Sequence, residues 1–158
     1  MDLLNTYKHD TCKDRFMKKY LRLCTVCLFA LGMTGCVDRD YADNTLQKGC
    51  LAGVKALLDD GYEIRDVKEA KFEPSPVGPD FRHVTLQVTQ MDGWLETDAE
   101  YQCVFEESFG FLNSHHTASI YQIRMGDDRL VGRSGKDIIG TPEDFLKLTD
   151  AIRKAMYE

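Results

Sequence analysis

The 158-residue chain is predicted to be an α+β protein: an antiparallel sheet of four to five strands flanked by an N-terminal and a C-terminal helix. Three patterns support this. Apolar residues recur at helical spacing from Leu46 to Leu57, and apolar and polar residues alternate over residues 82–91. Thr141, Pro142 and the two acids that follow are typical of a helix start. A run of strands between two helices favours an α+β fold.

The first half of the predicted domain is a helix followed by two strands. The helix covers roughly residues 45–58, and Asp59-Asp60-Gly61 ends it. Residues 62–72 switch the parity of their apolar positions midway, which indicates a strand with a bulge. Residues 73–80 contain three of the four prolines and therefore form a loop. The alternating strand over residues 82–91 follows.

The second half is predicted to hold the other strands and the last helix. Asp92-Gly93 favours a hairpin turn into a strand over residues 99–107, where Cys103 lies on the apolar face. Residues 117–125 form another strand, and residues 129–132 pair briefly after a turn. The helix that starts at Thr141 presents four apolar residues on one side: Phe145, Leu148, Ile152 and Ala155.

The N-terminal segment has the layout of a secretory signal. Residues 23–35 carry no charge and follow Lys18, Lys19 and Arg22. Thirteen helical residues reach about 20 Å, short of a bilayer core of about 30 Å, so a signal fits better than a membrane span. A buried core helix or a short membrane anchor is the alternative.

Translation is predicted to start at Met17. The preceding residues 1–16 carry three Asp residues, and signal n-regions avoid acids. A long natural n-region or an N-terminal tag is the alternative.

The four residues Met33-Thr34-Gly35-Cys36 resemble the lipobox of bacterial lipoproteins, although Met33 stands where that family usually has Leu. The resemblance covers about the first quarter of the chain. It implies a signal peptide over residues 1–35, a diacylglycerol on the thiol of Cys36, a tether over 36–44 and one domain over 45–158. Val37 is not the Asp of inner-membrane retention, so an outer-membrane anchor facing the periplasm is expected.

The positions of the six cysteines relative to the predicted cleavage site support export. Processing before Cys36 would remove three of them, and the lipid would occupy Cys36. Cys50 and Cys103 remain, and two cysteines in an oxidising compartment predict a disulfide. Two buried free thiols are the alternative.

Charge and motifs argue against several functions. Loss of residues 1–35 would remove six basic and three acidic residues and leave a net charge of −9. Phosphate backbones need a basic face, so no nucleic-acid partner is expected. Neither Gly-x-Ser-x-Gly nor a phosphate-binding glycine loop occurs. The domain is predicted to be noncatalytic, with no metal and no cofactor other than the covalent lipid on Cys36.

The segment 108–116 is the candidate partner-binding site, since it sets three apolar residues beside two histidines: Phe109, Phe111, Leu112, His115 and His116. Aromatic anchors with polar neighbours are typical of interfaces. Alternatively, the apolar residues plug one end of the sheet. A histidine could also join Glu106 or Glu107 in a metal site, with a solvated loop as the simpler interpretation.

The leading function is a membrane-anchored, noncatalytic lipoprotein that binds a protein or another envelope component. The first alternative is an inhibitor or immunity protein against a basic exported enzyme such as a lysozyme. Tyr101-Gln-Cys103, Ala118-Ser-Ile120 and Ser134-Gly135 are similar to the pattern of membrane-bound lysozyme-inhibitor lipoproteins. That family is an eight-stranded barrel, and the two predicted helices depart from it. The second alternative is an envelope enzyme that uses His115 or His116.

Overall fold

The computed structural model describes residues 37–126 and 129–158. The predicted signal peptide, the predicted start at Met17 and the predicted lipidation site Cys36 lie outside the described residues. The regular elements are α1 (Arg39–Leu57), β1 (Tyr62–Pro74), β2 (Phe81–Asp92), β3 (Leu95–Phe109), β4 (His116–Met125), β5 (Arg129–Ser134), β6 (Asp137–Ile139) and α2 (Pro142–Tyr157). A short 3₁₀ turn, Phe111–Asn113, lies between β3 and β4.

The α+β class is confirmed, but the sheet has six strands rather than four to five. Each strand pairs antiparallel with its sequence neighbour, in the order β1-β2-β3-β4-β5-β6. The additional strand is β6, which is only three residues long and pairs Ile139 with Gly132. Three residues are too few to show an alternating pattern, so this strand could not be predicted from periodicity. The described residues thus hold six strands in a meander, not the eight-stranded barrel of the lysozyme-inhibitor lipoproteins.

The predicted bulge and hairpin are both present in the sheet. The register of β1 against β2 shifts between Ile64 and Asp66 and again between Val67 and Glu69, where the parity of the apolar residues changes. Asp92 pairs with Leu95, leaving a two-residue hairpin loop. The first loop residue, Gly93, has φ +59°, which a two-residue hairpin loop readily accepts at a glycine.

The first helix begins earlier than the sequence predicts. The sequence predicts a short polar tether up to residue 44 and a helix from about residue 45. Instead α1 begins at Arg39, so only two described residues precede it, Val37 and Asp38. The added turns are polar apart from buried Ala42, and they are held by ion pairs to distant strands, which a helical apolar pattern does not reveal.

One core joins both helices to a single face of the sheet. Buried residues of β2, β3, β4 and β5 form one cluster with α1 and α2: Leu46, Cys50, Val54, Leu57, Val84, Leu86, Val88, Tyr101, Cys103, Phe105, Ile120, Ile123, Val131, Leu148 and Ile152. The predicted disulfide is present. It links Cys50 on α1 to Cys103 on β3 with their Cα atoms 5.8 Å apart. Both cysteines are fully buried, so the bond ties the first helix to the centre of the sheet.

The two helices pack closely because α1 has glycines where they meet. A Cβ at Gly53 would lie 2.8 Å from Cδ1 of Leu148, so α2 occupies the space that a larger residue would fill. The predicted start of α2 is confirmed, since the Thr141 hydroxyl accepts a hydrogen bond from the Asp144 amide at 3.0 Å. Ala155, expected on the apolar face, is exposed, and Met156 packs against the core instead. None of the described helices is long and apolar enough to cross a bilayer.

Candidate functional site

The predicted site residues divide between an exposed tip and a covered base at one end of the sheet. Phe111 and Leu112 are 85% and 74% exposed. These two residues are named the tip. Phe109 is half-buried at the end of β3 and stacks against His116, with ring centroids 4.9 Å apart. The alternative in which all the apolar residues of the loop plug the sheet therefore fits Phe109 and does not fit the tip.

The loop that carries the tip is closed by its own backbone hydrogen bonds. The Gly110 amide donates to the His115 carbonyl at 2.9 Å, and the Asn113 amide donates to the Gly110 carbonyl at 2.9 Å. Leu112 and Asn113 both have φ of +55°. A left-handed conformation costs roughly 1–2 kcal/mol for a residue with a side chain. The fold thus holds Leu112 in an unfavourable conformation while its side chain faces water.

The chain enters the domain beside this tip. The amide of Val37, the first described residue, donates a hydrogen bond to the carbonyl of Asn113 at 2.8 Å. Val37 is covalently joined to Cys36, the predicted lipid attachment site. The structure therefore places the exposed apolar tip next to Val37, the residue that follows Cys36 in the chain.

Beneath the tip lies a group of charged side chains from α1 and three strands, named the base cluster: Arg39, Asp43, Arg82, Glu107 and His116. Arg39 donates to both carboxylate oxygens of Glu107 at 2.7 Å, and its guanidinium lies 5.5 Å from the ring centroid of Phe109. Such bidentate pairs fix geometry as well as contribute energy. The cluster therefore fastens the first turn of α1 to the base of the loop.

Electrostatics in the base cluster favour fixed protonation states. The hydrogen bonds that Arg39 donates to Glu107 raise the pKa of Arg39 against the opposing effect of burial. Burial acts to raise the pKa of Asp43, but hydrogen bonds from Arg39 and Arg82 outweigh it and hold this pKa below its usual value. Burial also lowers the pKa of His116, while Glu107 acts in the opposite direction. At neutral pH these shifts favour a charged Arg39, an ionised Asp43 and a neutral His116.

The adjacent histidines do not form one site. The side chain of His116 is 1% exposed, and its Nε2 lies 3.5 Å from Oε1 of Glu107 without a hydrogen-bond partner among the described residues. His115 is exposed, and its Nδ1 lies 3.2 Å from the Ser114 hydroxyl. Among residues 37–126 and 129–158, no three His, Cys, Asp or Glu side chains cluster as metal ligands.

Sequence reasoning missed the charged members of the base cluster, although two signals for them existed. Glu107 follows Cys103 and Phe105 on the apolar face of β3, and a carboxylate in a core-facing register implies a buried cation. Arg39 and Asp43 are four residues apart, a spacing that pairs charges on a helix. These two signals together predict a helix that starts before residue 45 and packs against β3.

A second exposed aromatic residue was also missed. Trp94, the only tryptophan of the chain, is 89% exposed at the β2–β3 hairpin, and the following Leu95 is 49% exposed. This hairpin lies at the opposite end of β3 from the loop 108–116. The acidic side chains of Glu63 and Asp92 are close to it in the strand register.

Comparison of the chain with protein-family models, with curated proteins and with solved structures finds no match. The site is therefore interpreted from its own geometry and charge.

The burial of His116 predicts a loss of stability on mild acidification. Its pKa is lower in the folded state than in the unfolded chain, where it is about 6.5, so the unfolded state binds more protons between these two values. The stability that the neutral, buried His116 contributes is therefore fully present above about pH 6.5 and falls as the pH drops toward the folded pKa.

Melting temperatures from pH 7.5 to 5 should fall less steeply in His116→Gln than in wild type. His115→Gln, which replaces the exposed neighbour, should keep the wild-type slope. An equal slope in His116→Gln would contradict this assignment.

Proposed function

We propose that the chain is a lipid-anchored lipoprotein of the bacterial envelope whose noncatalytic domain binds an envelope component through the tip. The lipobox-like segment ending at Cys36 supports the anchor. The buried Cys50–Cys103 disulfide supports export, because such bonds persist in oxidising compartments. Val37 in the position after the lipidated cysteine favours the outer membrane, with the domain in the periplasm.

The observation that carries the proposed binding role is the exposure of Phe111 and Leu112 in a hydrogen-bonded loop. Exposed apolar side chains cost free energy in water, and Leu112 adds backbone strain. Tip residues held this way gain from a contact that covers them. An envelope protein is also proposed as a partner. The chain without residues 1–35 has a net charge of −9, which would steer a basic protein surface toward the domain.

A photoreactive amino acid at Leu112 tests the contact in the intact envelope. It should crosslink to an envelope component, and Phe111→Ala should reduce the crosslinking yield by removing the adjacent anchor. The melting temperature of Phe111→Ala should barely change, because the side chain is 85% exposed. Phe109→Ala is the matched control, since it removes a half-buried ring stacked on His116 and should lower the melting temperature. An unchanged yield, or a large loss of stability in Phe111→Ala, would contradict the assignment of the tip.

A second candidate function, inhibition of or immunity to a basic exported enzyme, is favoured by the hairpin at Trp94. An exposed tryptophan close to the acidic residues Glu63 and Asp92 offers both an aromatic anchor and charge complementarity to a basic protein. Glu96 and Asp98 farther along β3 are already paired with Arg65 and Lys68, which leaves Glu63 and Asp92 nearest the hairpin. Lysis of cells that lack the protein would favour this function over simple binding.

A further inference from the structure

We infer that the component covering Phe111 and Leu112 is the lipid bilayer that holds the proposed anchor. The end of the domain that carries the tip then faces the membrane. This inference rests on the proposed lipidation of Cys36. It adds an orientation to the anchor: the loop 108–116 lies at the membrane surface, and the hairpin at Trp94 points away from it.

The first argument is distance. The hydrogen bond from the Val37 amide to the Asn113 carbonyl is 2.8 Å long. With standard bond geometry on either side of it, the Cα atoms of Val37 and Leu112 are separated by about 11 Å at most. Val37 directly follows the proposed lipidation site in the chain. Insertion of the acyl chains would therefore bring the tip close to the lipid headgroups.

The second argument is composition. The segment 108–116 contains no Asp, Glu, Lys or Arg, although 29% of the residues in the chain are charged. Phe111 and Leu112 are its most exposed apolar side chains, and polar Asn113, Ser114 and His115 follow them. Interfacial segments bury apolar side chains such as Phe and Leu at the boundary between headgroups and acyl chains and keep their polar groups toward the water. The segment has this arrangement.

The third argument is rigidity. The bidentate pair of Arg39 with Glu107 holds the first turn of α1 to the end of β3, which leads into the tip. The guanidinium also contacts Phe109. Val37 and the tip are therefore held at the same end of the domain, and insertion of the proposed lipid would bring the tip toward the bilayer surface.

A protein partner fits this position less well than lipid does. A protein would have to insert between the domain and the membrane. The hydrogen bond from Val37 to Asn113 leaves only a short distance there between the tip and the proposed anchor. Trp94, which is 89% exposed, lies at the far end of β3, whose fifteen residues span roughly 45–50 Å. The hairpin at Trp94 is free of that restriction and remains available to a protein.

Tryptophan fluorescence of the full-length, lipidated protein in phosphatidylcholine vesicles with brominated acyl chains tests the orientation. The double variant Phe111→Trp, Trp94→Phe moves the single tryptophan of the chain to the tip, at a side chain exposed enough to accept it. Its emission should shift to shorter wavelength and be largely quenched by bromine. Wild type, which emits from Trp94 alone, is the matched control and should keep its emission.

Vesicle flotation and the intact mass of the protein are measured in parallel, to separate the inference from the proposed function. Flotation with an acylated mass and an unquenched tip would overturn the inference while leaving the lipoprotein intact. Equal quenching of both proteins would overturn the orientation. Failure to float, with an unmodified Cys36, would overturn the proposed function and the inference with it. A protein crosslinked from the tip of the anchored form, without quenching, would assign the tip to a protein partner instead.

Discussion

Replacing both bridged cysteines, Cys50→Ala with Cys103→Ala, is expected to cost about 4 kcal/mol of unfolding free energy. The bond closes a loop with a sequence separation of 53 residues, and the chain-entropy treatment of such a loop gives roughly this value. The loss should appear as a lower urea midpoint in equilibrium unfolding of the protein.

Two controls separate the crosslink from packing. Reduced wild type keeps both sulfur atoms in the core and should lose most of the same stability. The intact mass of the native protein should be two hydrogens below that of the reduced form. Two thiols that can be alkylated in the native, unreduced domain would refute the bridge.

Gly132→Ala is expected to destabilise the sheet by about 3–5 kcal/mol. Gly132 lies on β5 with φ +150°, a conformation unfavourable for other residues. A Cβ there would also overlap the backbone oxygen of Tyr121 and lie 2.6 Å from the Cα of Gln122, so β4 and β5 would have to separate.

Gly135→Ala is the matched control, because it tests the cost of the backbone conformation without a steric contact. Gly135 has φ +62°, and a Cβ there meets nothing within 4 Å. Its replacement should cost only the left-handed strain, about 1–2 kcal/mol. Thermal or urea unfolding measures the loss of unfolding free energy in both variants. Equal losses would show that the contact between β4 and β5 does not limit the size of residue 132.

Those elements that bury an apolar face by a regular period could be predicted from the sequence. Strand β2 alternates cleanly, and the Thr141 cap with Pro142 marks the start of α2. The disulfide followed from two independent periods, one helical through Cys50 and one alternating through Cys103. The beginning of α1 could not be predicted in this way, because it depends on Arg39 and Glu107, which are 68 residues apart in the chain.

The segment that forms the candidate site could be predicted from the sequence. Which of its residues are exposed and which are covered could not. Sequence placed Phe109, Phe111 and His116 together, and a local pattern carries no information on which of them the rest of the fold covers. Phe109 and His116 lie in the strand register and pack under Arg39. Phe111 follows a turn that leaves the sheet, so only the three-dimensional arrangement separates the tip from the base.

Metabolic labelling with a radioactive or alkyne-tagged fatty acid tests the central claim, lipidation at Cys36, most directly. The wild-type chain should be labelled and processed, and Cys36→Ser should be unlabelled and retain its N-terminal segment, because serine cannot form the thioether. Cys50→Ala with Cys103→Ala, which keeps Cys36, should still be labelled. Equal labelling of wild type and Cys36→Ser would contradict the lipid anchor.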